Sequence, residues 1–432
     1  MTTPTALSPL TAGPRYPMSI LYFAIMSIGM GQTVVFGVIP YIGLALGLDK
    51  LVIEIPWLGF YYTPAELVIT ALTSVASLAF VLTASYWGRR SDRVGRKPII
   101  LTGLIGYSIG TVIFSLVIEA GFSGLVSGWW LYGLLILTRV ALVALMAASM
   151  PAASAFVVDV SDNIGRVSGI GRLSASSQLG TMVGPALVFF TFLSWTAPLY
   201  IQAVLTAFAA LLVWQFLPES RTAGKHSEVL TAMPAQARLR FWDNRYRVYL
   251  CIGLAMYTMM GVVQQTLGFY FHDLLGLNKV EASQQFSFAL MMASVAGIVA
   301  LLLVVQRWKR HPIHLLQLGL PFTLMGYLCL ALAEQLWMLQ LGMVLFGFGM
   351  GMAAPGCSVT ATYQVGLREQ GSLAGLNASV AGMGFVIGPL IGGAIYASSP
   401  SLTYWFSAMC IVPIILLSLT LKPVAIQRDS ES

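Results

Sequence analysis

The chain has 432 residues, 57% of them hydrophobic and only 9% charged, with a mean hydropathy of +0.82 and a net charge of +7. Water-soluble domains carry about a quarter charged residues, so a chain this apolar lacks the polar surface to fold in water and takes lipid as its solvent. Its apolar runs are continuous for about 20 residues or more, the length of a membrane-crossing helix, rather than the short alternating segments of a barrel.

Twelve such runs follow one another, predicting an all-α membrane fold with spans at 18–46, 65–87, 98–119, 128–158, 167–190, 195–217, 247–271, 281–305, 312–333, 336–363, 372–397 and 401–421. The opening stretch, MTTPTALSPLTAGPRYP, has no basic segment leading into a cleavable core, so the first span is expected to be retained. Twenty of the 23 lysines and arginines fall in alternate connections or at the termini. The positive-inside bias therefore predicts both termini in the cytoplasm, and the basic charge sets topology rather than marking a nucleic-acid surface.

The densest of these connections is GRRSDRVGRK, residues 88–97. Gly88 and Gly95 permit a tight turn between two helices, the cations hold the turn on one side, and Asp92 is the odd member. An adjacent arginine, or the amino end of a helix near residue 372, is its expected partner. Asp159, at the inner end of the fourth span, is expected to pair with Arg93 or Arg96.

The longest inner connection, 218–246, divides the chain into an N-terminal six-span unit (1–217) and a C-terminal one (247–432). The two units repeat. Pro151, Ser154, Gly171, Gly180, Gly184 and Pro185 recur as Pro355, Ser358, Gly375, Gly384, Gly388 and Pro389, each 204 residues later and without a gap. Duplicated six-plus-six bundles are how many secondary transporters are built, with the substrate site at the midplane between the repeats.

The loop 88–97 resembles the signature between the second and third helices of the major facilitator superfamily, through Gly88, Asp92, Arg93, Gly95, Arg96 and Lys97. Gly180, Gly184 and Pro185 resemble the fifth-helix antiporter motif, although Val188 and Phe189 replace its last two glycines. Gly384, Gly388, Pro389, Gly392 and Gly393 spell that motif fully in the eleventh span. Arg139 fits the arginine of a fourth-helix motif, with Leu142 and Val143 in place of its Gln-Gly, and AFVVDVSDNIGR is similar to the fourth-helix end of tetracycline-type drug:proton antiporters. The resemblance implies alternating access, with the 88–97 loop as a conformational lock, the repeated glycine–proline motif as a hinge or seal between the halves, and export driven by protons.

The candidate cavity residues follow from what lipid refuses. Arg139 lies nine residues inside Trp130, about 14 Å deep, and an ionisable residue at that depth is a functional candidate with a partner to be named. Glu66 is the expected acid. Gln32, Gln264 and Gln265 are expected to face the cavity, with Tyr257, Phe348 and Met256, Met259, Met260, Met350 and Met352 as an adaptable apolar wall. None of the sixteen acids falls mid-span, which predicts a neutral or anionic cargo (a drug-like compound, a metabolite or a siderophore) and leaves Glu66 or Asp159 to carry protons.

The four cysteines and four histidines show no metal-ligand spacing or nucleophile order, so no enzyme, metal site or cofactor is expected. The expectation is a monomeric, proton-gradient-driven exporter in a bacterial inner membrane, its partners a small molecule and the bilayer. An importer of a nutrient or iron-siderophore on the same fold is the alternative. A transporter-like sensor or assembly factor is the alternative of another class.

Overall fold

The computed structural model describes residues 18–55, 60–62, 66–161, 165–220, 240–308, 310–366 and 369–421. It contains twelve helices long and apolar enough to cross a membrane. These are α1 (Met18–Ala45), α2 (Glu66–Val94), α3 (Arg96–Phe122), α4 (Gly128–Val160), α5 (Gly165–Val183), α6 (Ala197–Phe216), α7 (Arg247–Leu275), α8 (Lys279–Val299), α9 (Ile313–Ala331), α10 (Leu336–Thr362), α11 (Gln370–Tyr396) and α12 (Pro400–Thr420). Between α1 and α2 a small antiparallel hairpin pairs β1 (Ile53–Ile55) with β2 (Phe60–Tyr62), a feature the all-helical expectation did not include.

Irregularities in the helices have local causes. α4 breaks into Gly128–Met146 and Ser149–Val160. Pro151 lacks the N–H that would bond the carbonyl of Ala147, and its ring crowds that carbonyl, so the helix yields there. α5 tightens into 3-10 turns over Gly184–Phe192, starting at the Gly184-Pro185 pair. α8 ends in a π-helical stretch, Ala300–Val305.

α1–α6 and α7–α12 form two bundles of like design. α1 and α7 sit deepest, with Leu21, Ala24, Val34, Val38, Val262, Leu267 and Phe271 fully buried. Large apolar side chains instead lie exposed on the outer flanks, among them Leu137 at 64%, Val204 at 68% and Met409 at 72%. Such a belt is untenable in water and suits lipid; the chain is a multi-pass membrane protein. Some polar side chains within the bundles tie one helix to the backbone of another. The Gln202 amide of α6 donates to the carbonyl of Ser27 in α1 at 2.7 Å, and the Cys357 thiol of α10 to that of Tyr249 in α7 at 3.3 Å.

Candidate functional site: a chamber between the two bundles

The two bundles part to enclose a cavity of about 920 Å³. α1 contributes Gln32, Thr33 and Phe36, α4 contributes Arg139, Met146 and Met150, and α7 contributes Tyr257, Met260 and Gln264. The wall continues through Ser174 and Gln178 of α5, Leu301, Pro355 and Ala378, toward the end of the molecule that carries residues 88–97, here called the basic end.

At the opposite end the bundles meet. The Tyr41 hydroxyl of α1 donates to the carbonyl of Gly268 in α7 at 2.7 Å, and the Lys279 ammonium to that of Leu44 at 3.2 Å. The Gln284 amide donates to the carbonyl of Phe189 at 3.4 Å. Phe36 and Phe385 stack across the halves with centroids 6.4 Å apart, flooring the chamber. Among the described residues the chamber's lining therefore runs from this floor toward the basic end.

Arg139 is 7% exposed and is the one charged residue among the described residues that line the chamber. Phe114 of α3 lies 5.7 Å from its guanidinium carbon, and Tyr107 is close enough to act on it electrostatically. Its Nε has no hydrogen-bond partner, and no carboxylate among the described residues stands within ion-pair distance of it. The expected pairing with Glu66 is thus corrected: Glu66 begins α2 at the far end, and its Oε2 is buried without a partner. Gln265 is corrected too. It lies 2% exposed outside the lining, because one residue turns an α-helix by about 100°, and Gln264 alone of the pair reaches the chamber. Met260 and Met350 line the chamber, joined by Met146, Met150 and Met343, whereas Met256, Met259 and Met352 are core and Phe348 packs on Phe322.

At the basic end Arg96 is the hub. Its guanidinium binds Asp159 at 2.9 Å, Asp92 one turn earlier on α2, and the Ser91 hydroxyl at 2.9 Å. Its own backbone N–H and that of Lys97 donate to the Glu219 carboxylate at 2.9 and 3.1 Å. Glu219, at the end of α6, thus places a negative charge on the amino end of α3, where the helix dipole favours one. Gly95 makes room for it. Its φ is +115°, and a Cβ there would lie 2.7 Å from Glu219 Oε2. The Lys97 ammonium donates to the Trp214 carbonyl at 2.7 Å. Gly88 leaves ordinary contact room against Pro151, and Arg93 closes α2 on its exposed side.

The second bundle has a counterpart. Arg245 binds Asp243 at 2.8 Å and Glu369, just before α11, at 3.0 Å. These hydrogen bonds hold both carboxyls below the usual carboxylate range and push the guanidinium above its own.

Of the repeated glycines, Gly180, Gly184, Gly384 and Gly388 pack helices within each bundle, whereas the sequence pointed to a contact between bundles. A Cβ at Gly180 or Gly184 of α5 would strike the backbone of Met26 or Met30 in α1. A Cβ at Gly384 or Gly388 of α11 would lie 2.8 Å from Thr258 N or 2.5 Å from Thr258 O in α7. Pro389 follows in the same contact, its Cδ 3.4 Å from where a Cβ at Gly261 of α7 would lie, and Pro185 lines the chamber. Among the described α11 glycines, Gly382 and Gly393 meet the other bundle, at Val81 and at Leu67 of α2.

The family model of the Major Facilitator Superfamily matches residues 21–333 and 313–431. The chain belongs to that superfamily. Among similar proteins, the class B tetracycline resistance protein of Escherichia coli is 26% identical over 396 residues, covering 87% of this chain and 92% of its own. The quinolone resistance protein NorA of Staphylococcus aureus is 23% identical, with 87% and 89% covered. In fold the chain is similar to a D-xylose-proton symporter (TM-score 0.71, 14% identity, 95% and 98% covered). It is likewise similar to the human organic anion transporter MFSD10 (TM-score 0.63, 16% identity, 93% and 98% covered).

Two contributors to this superfamily member escaped the sequence reading. Glu219 carries no local motif; the positive-φ glycine ahead of α3 was its only trace. Tyr41 reads as one more apolar residue of α1, yet it makes the bridge that closes the far end.

Proposed function

We propose that this protein exports a small neutral or anionic molecule across a bacterial inner membrane by proton-driven antiport, working as a monomer with the basic end in the cytoplasm. The observation that carries this reading is the chamber, whose lining extends toward the basic end, which is bounded by Tyr41, Lys279 and the Phe36–Phe385 stack at the other, and which has no acid among its described lining residues. Cargo would enter from the cytoplasm. Separation of the far-end contacts and closure of the basic end would then release it outside.

The near end-to-end likeness to tetracycline and quinolone resistance proteins supports the outward direction. So do Gly180, Gly184 and Pro185, which match the fifth-helix motif that marks exporters in the resembled family, with Val188 and Phe189 in place of its last two glycines. With no acid in the lining, proton binding falls to carboxyls outside it. Glu66 is the candidate, its Oε2 buried and unpartnered at the closed end and within electrostatic reach of Asp273 and Asp49. Asp159 is the second, held by Arg96.

The test is transport by purified protein in liposomes of known orientation, with a pH gradient imposed in each direction. Export predicts uptake into inside-out vesicles with an acidic lumen. Accumulation only in right-side-out vesicles would establish import, and flux indifferent to the gradient would remove the proton.

A further inference from the structure

We propose that the chamber holds a carboxylate-binding site centred on Arg139, and that the cargo is a singly charged organic anion with an apolar, ring-bearing body. This rests on the reading of the chamber as the cargo site and narrows it.

The first observation is an unspent cation. Arg139 is 7% exposed, its Nε bonds nothing, and no acid lines the chamber around it. Phe114 at 5.7 Å steadies the guanidinium without offering an acceptor for its N–H groups. A buried charge persists where it is paired and hydrogen-bonded, and here no described residue supplies such a pair. A planar guanidinium presents N–H groups at the spacing of two carboxylate oxygens and can bind them together. The missing partner is therefore the ligand's own acid group.

The second observation is what surrounds the cation. Phe36 and Phe385 form a stacked floor spanning both bundles, and Phe80, Tyr257 and Phe346 add to an otherwise methionine-rich wall. Such a surface favours a flat apolar body and adapts to its outline. A volume of about 920 Å³ is at the upper end for a drug-sized molecule. Gln264, whose Oε1 has no partner, can accept one hydrogen bond from the cargo.

The third is the charge sum. The lining holds one positive charge and no negative one. A monoanion brings the chamber to neutrality, a dianion overshoots, and a cation adds to what is already unpaired. Closing low-dielectric walls around a net charge is unfavourable, so the neutral pair should be occluded most readily.

The experiment uses the full-length protein in detergent and thermal-shift titration, since a ligand that binds only the folded state stabilises it by an amount that grows with the logarithm of its concentration over Kd. Three probes share one ring system: 1-naphthoate, neutral 1-naphthamide and the 1-naphthylmethylammonium cation. The wild type should bind naphthoate roughly tenfold to a hundredfold more tightly than the amide, as expected of a hydrogen bond to a buried charge, and should not respond to the cation. Arg139→Gln should equalise the acid and the amide, while Arg139→Lys keeps part of the preference. Equal responses to all three probes in the wild type, no response to naphthoate, or a preference that survives Arg139→Gln would overturn the site. Should the Gln variant fail to fold, the wild-type series and the Lys variant still decide. Charge-selective binding without gradient-driven flux would sink the antiport reading and leave the site standing. Gradient-driven flux with no charge preference would do the reverse.

Discussion

Gly388→Ala offers a quantitative test of how the second bundle is held together. The added methyl would lie 2.5 Å from Thr258 O, 2.9 Å from Gly261 Cα and 2.9 Å from Val262 N. Carbon–oxygen contacts of this kind normally stand at about 3.3–3.6 Å, so α11 and α7 must part by roughly 1 Å. All three obstructing atoms are backbone, and no side chain can turn aside to absorb the change. Overpacking of this type costs about 1–3 kcal/mol, while replacing a helical glycine by alanine returns about 1 kcal/mol. The net effect is a loss of up to about 2 kcal/mol. Gly133 of α4 provides the control, because a Cβ there meets nothing within 4 Å. Gly133→Ala keeps only the gain, so the two variants should differ by the overpacking cost alone, about 1–3 kcal/mol. The measurement is SDS-driven unfolding of each purified variant, followed by far-ultraviolet circular dichroism and extrapolated to zero SDS. Indistinguishable midpoints, or a Gly388→Ala protein more stable than Gly133→Ala, would refute the claim that this glycine sets the α7–α11 distance.

Asp92→Asn removes a charge that is 63% exposed and bound to Arg96; gradient-driven export should fall sharply with normal membrane insertion, and wild-type flux would reduce residues 88–97 to a topology signal. Asp159→Asn strips the better shielded partner of Arg96, so its detergent-solubilised stability should drop further than that of Asp92→Asn; the reverse order would count against Asp159 as the main anchor. Arg245→Gln tests pH linkage. Because Asp243 and Glu369 titrate below their usual range through their bonds to Arg245, their contribution is complete above the ordinary carboxylate pKa of about 4 and is lost as pH falls through the depressed values. The stability gap between wild type and Arg245→Gln should stay level from neutral pH to about 5 and close only below 4; a gap that closes by pH 6 would assign it to another group.

The linear order of apolar and charged residues determined the membrane, the twelve spans, the alternation of basic connections and the division into two repeats, because each is a property of a segment and its solvent. Span edges predicted at 18–46 and 336–363 emerged as Met18–Ala45 and Leu336–Thr362. The repeat of 204 residues was legible because close helix contacts demand glycine at fixed positions wherever a bundle is copied. Arg139 stood out because a cation at that depth needs a reason.

What the order of residues could not supply is the partner of each group. Glu66 was the nearest acid to suggest for Arg139, but the two lie at different heights on helices whose registers only packing fixes, and Arg139 is left facing the chamber alone. Gln264 and Gln265 are neighbours in the chain and equal in chemistry; the rotation of α7 against α1 and α11 decided that one lines the chamber and the other is buried beside it. The same holds for Glu219, which reaches the amino end of α3 from 123 residues away, and for Tyr41, whose hydroxyl finds Gly268 across the two bundles. Periodicity and solvent preference act along the chain, whereas pairing and the side on which a cavity opens depend on the rigid placement of one helix against another.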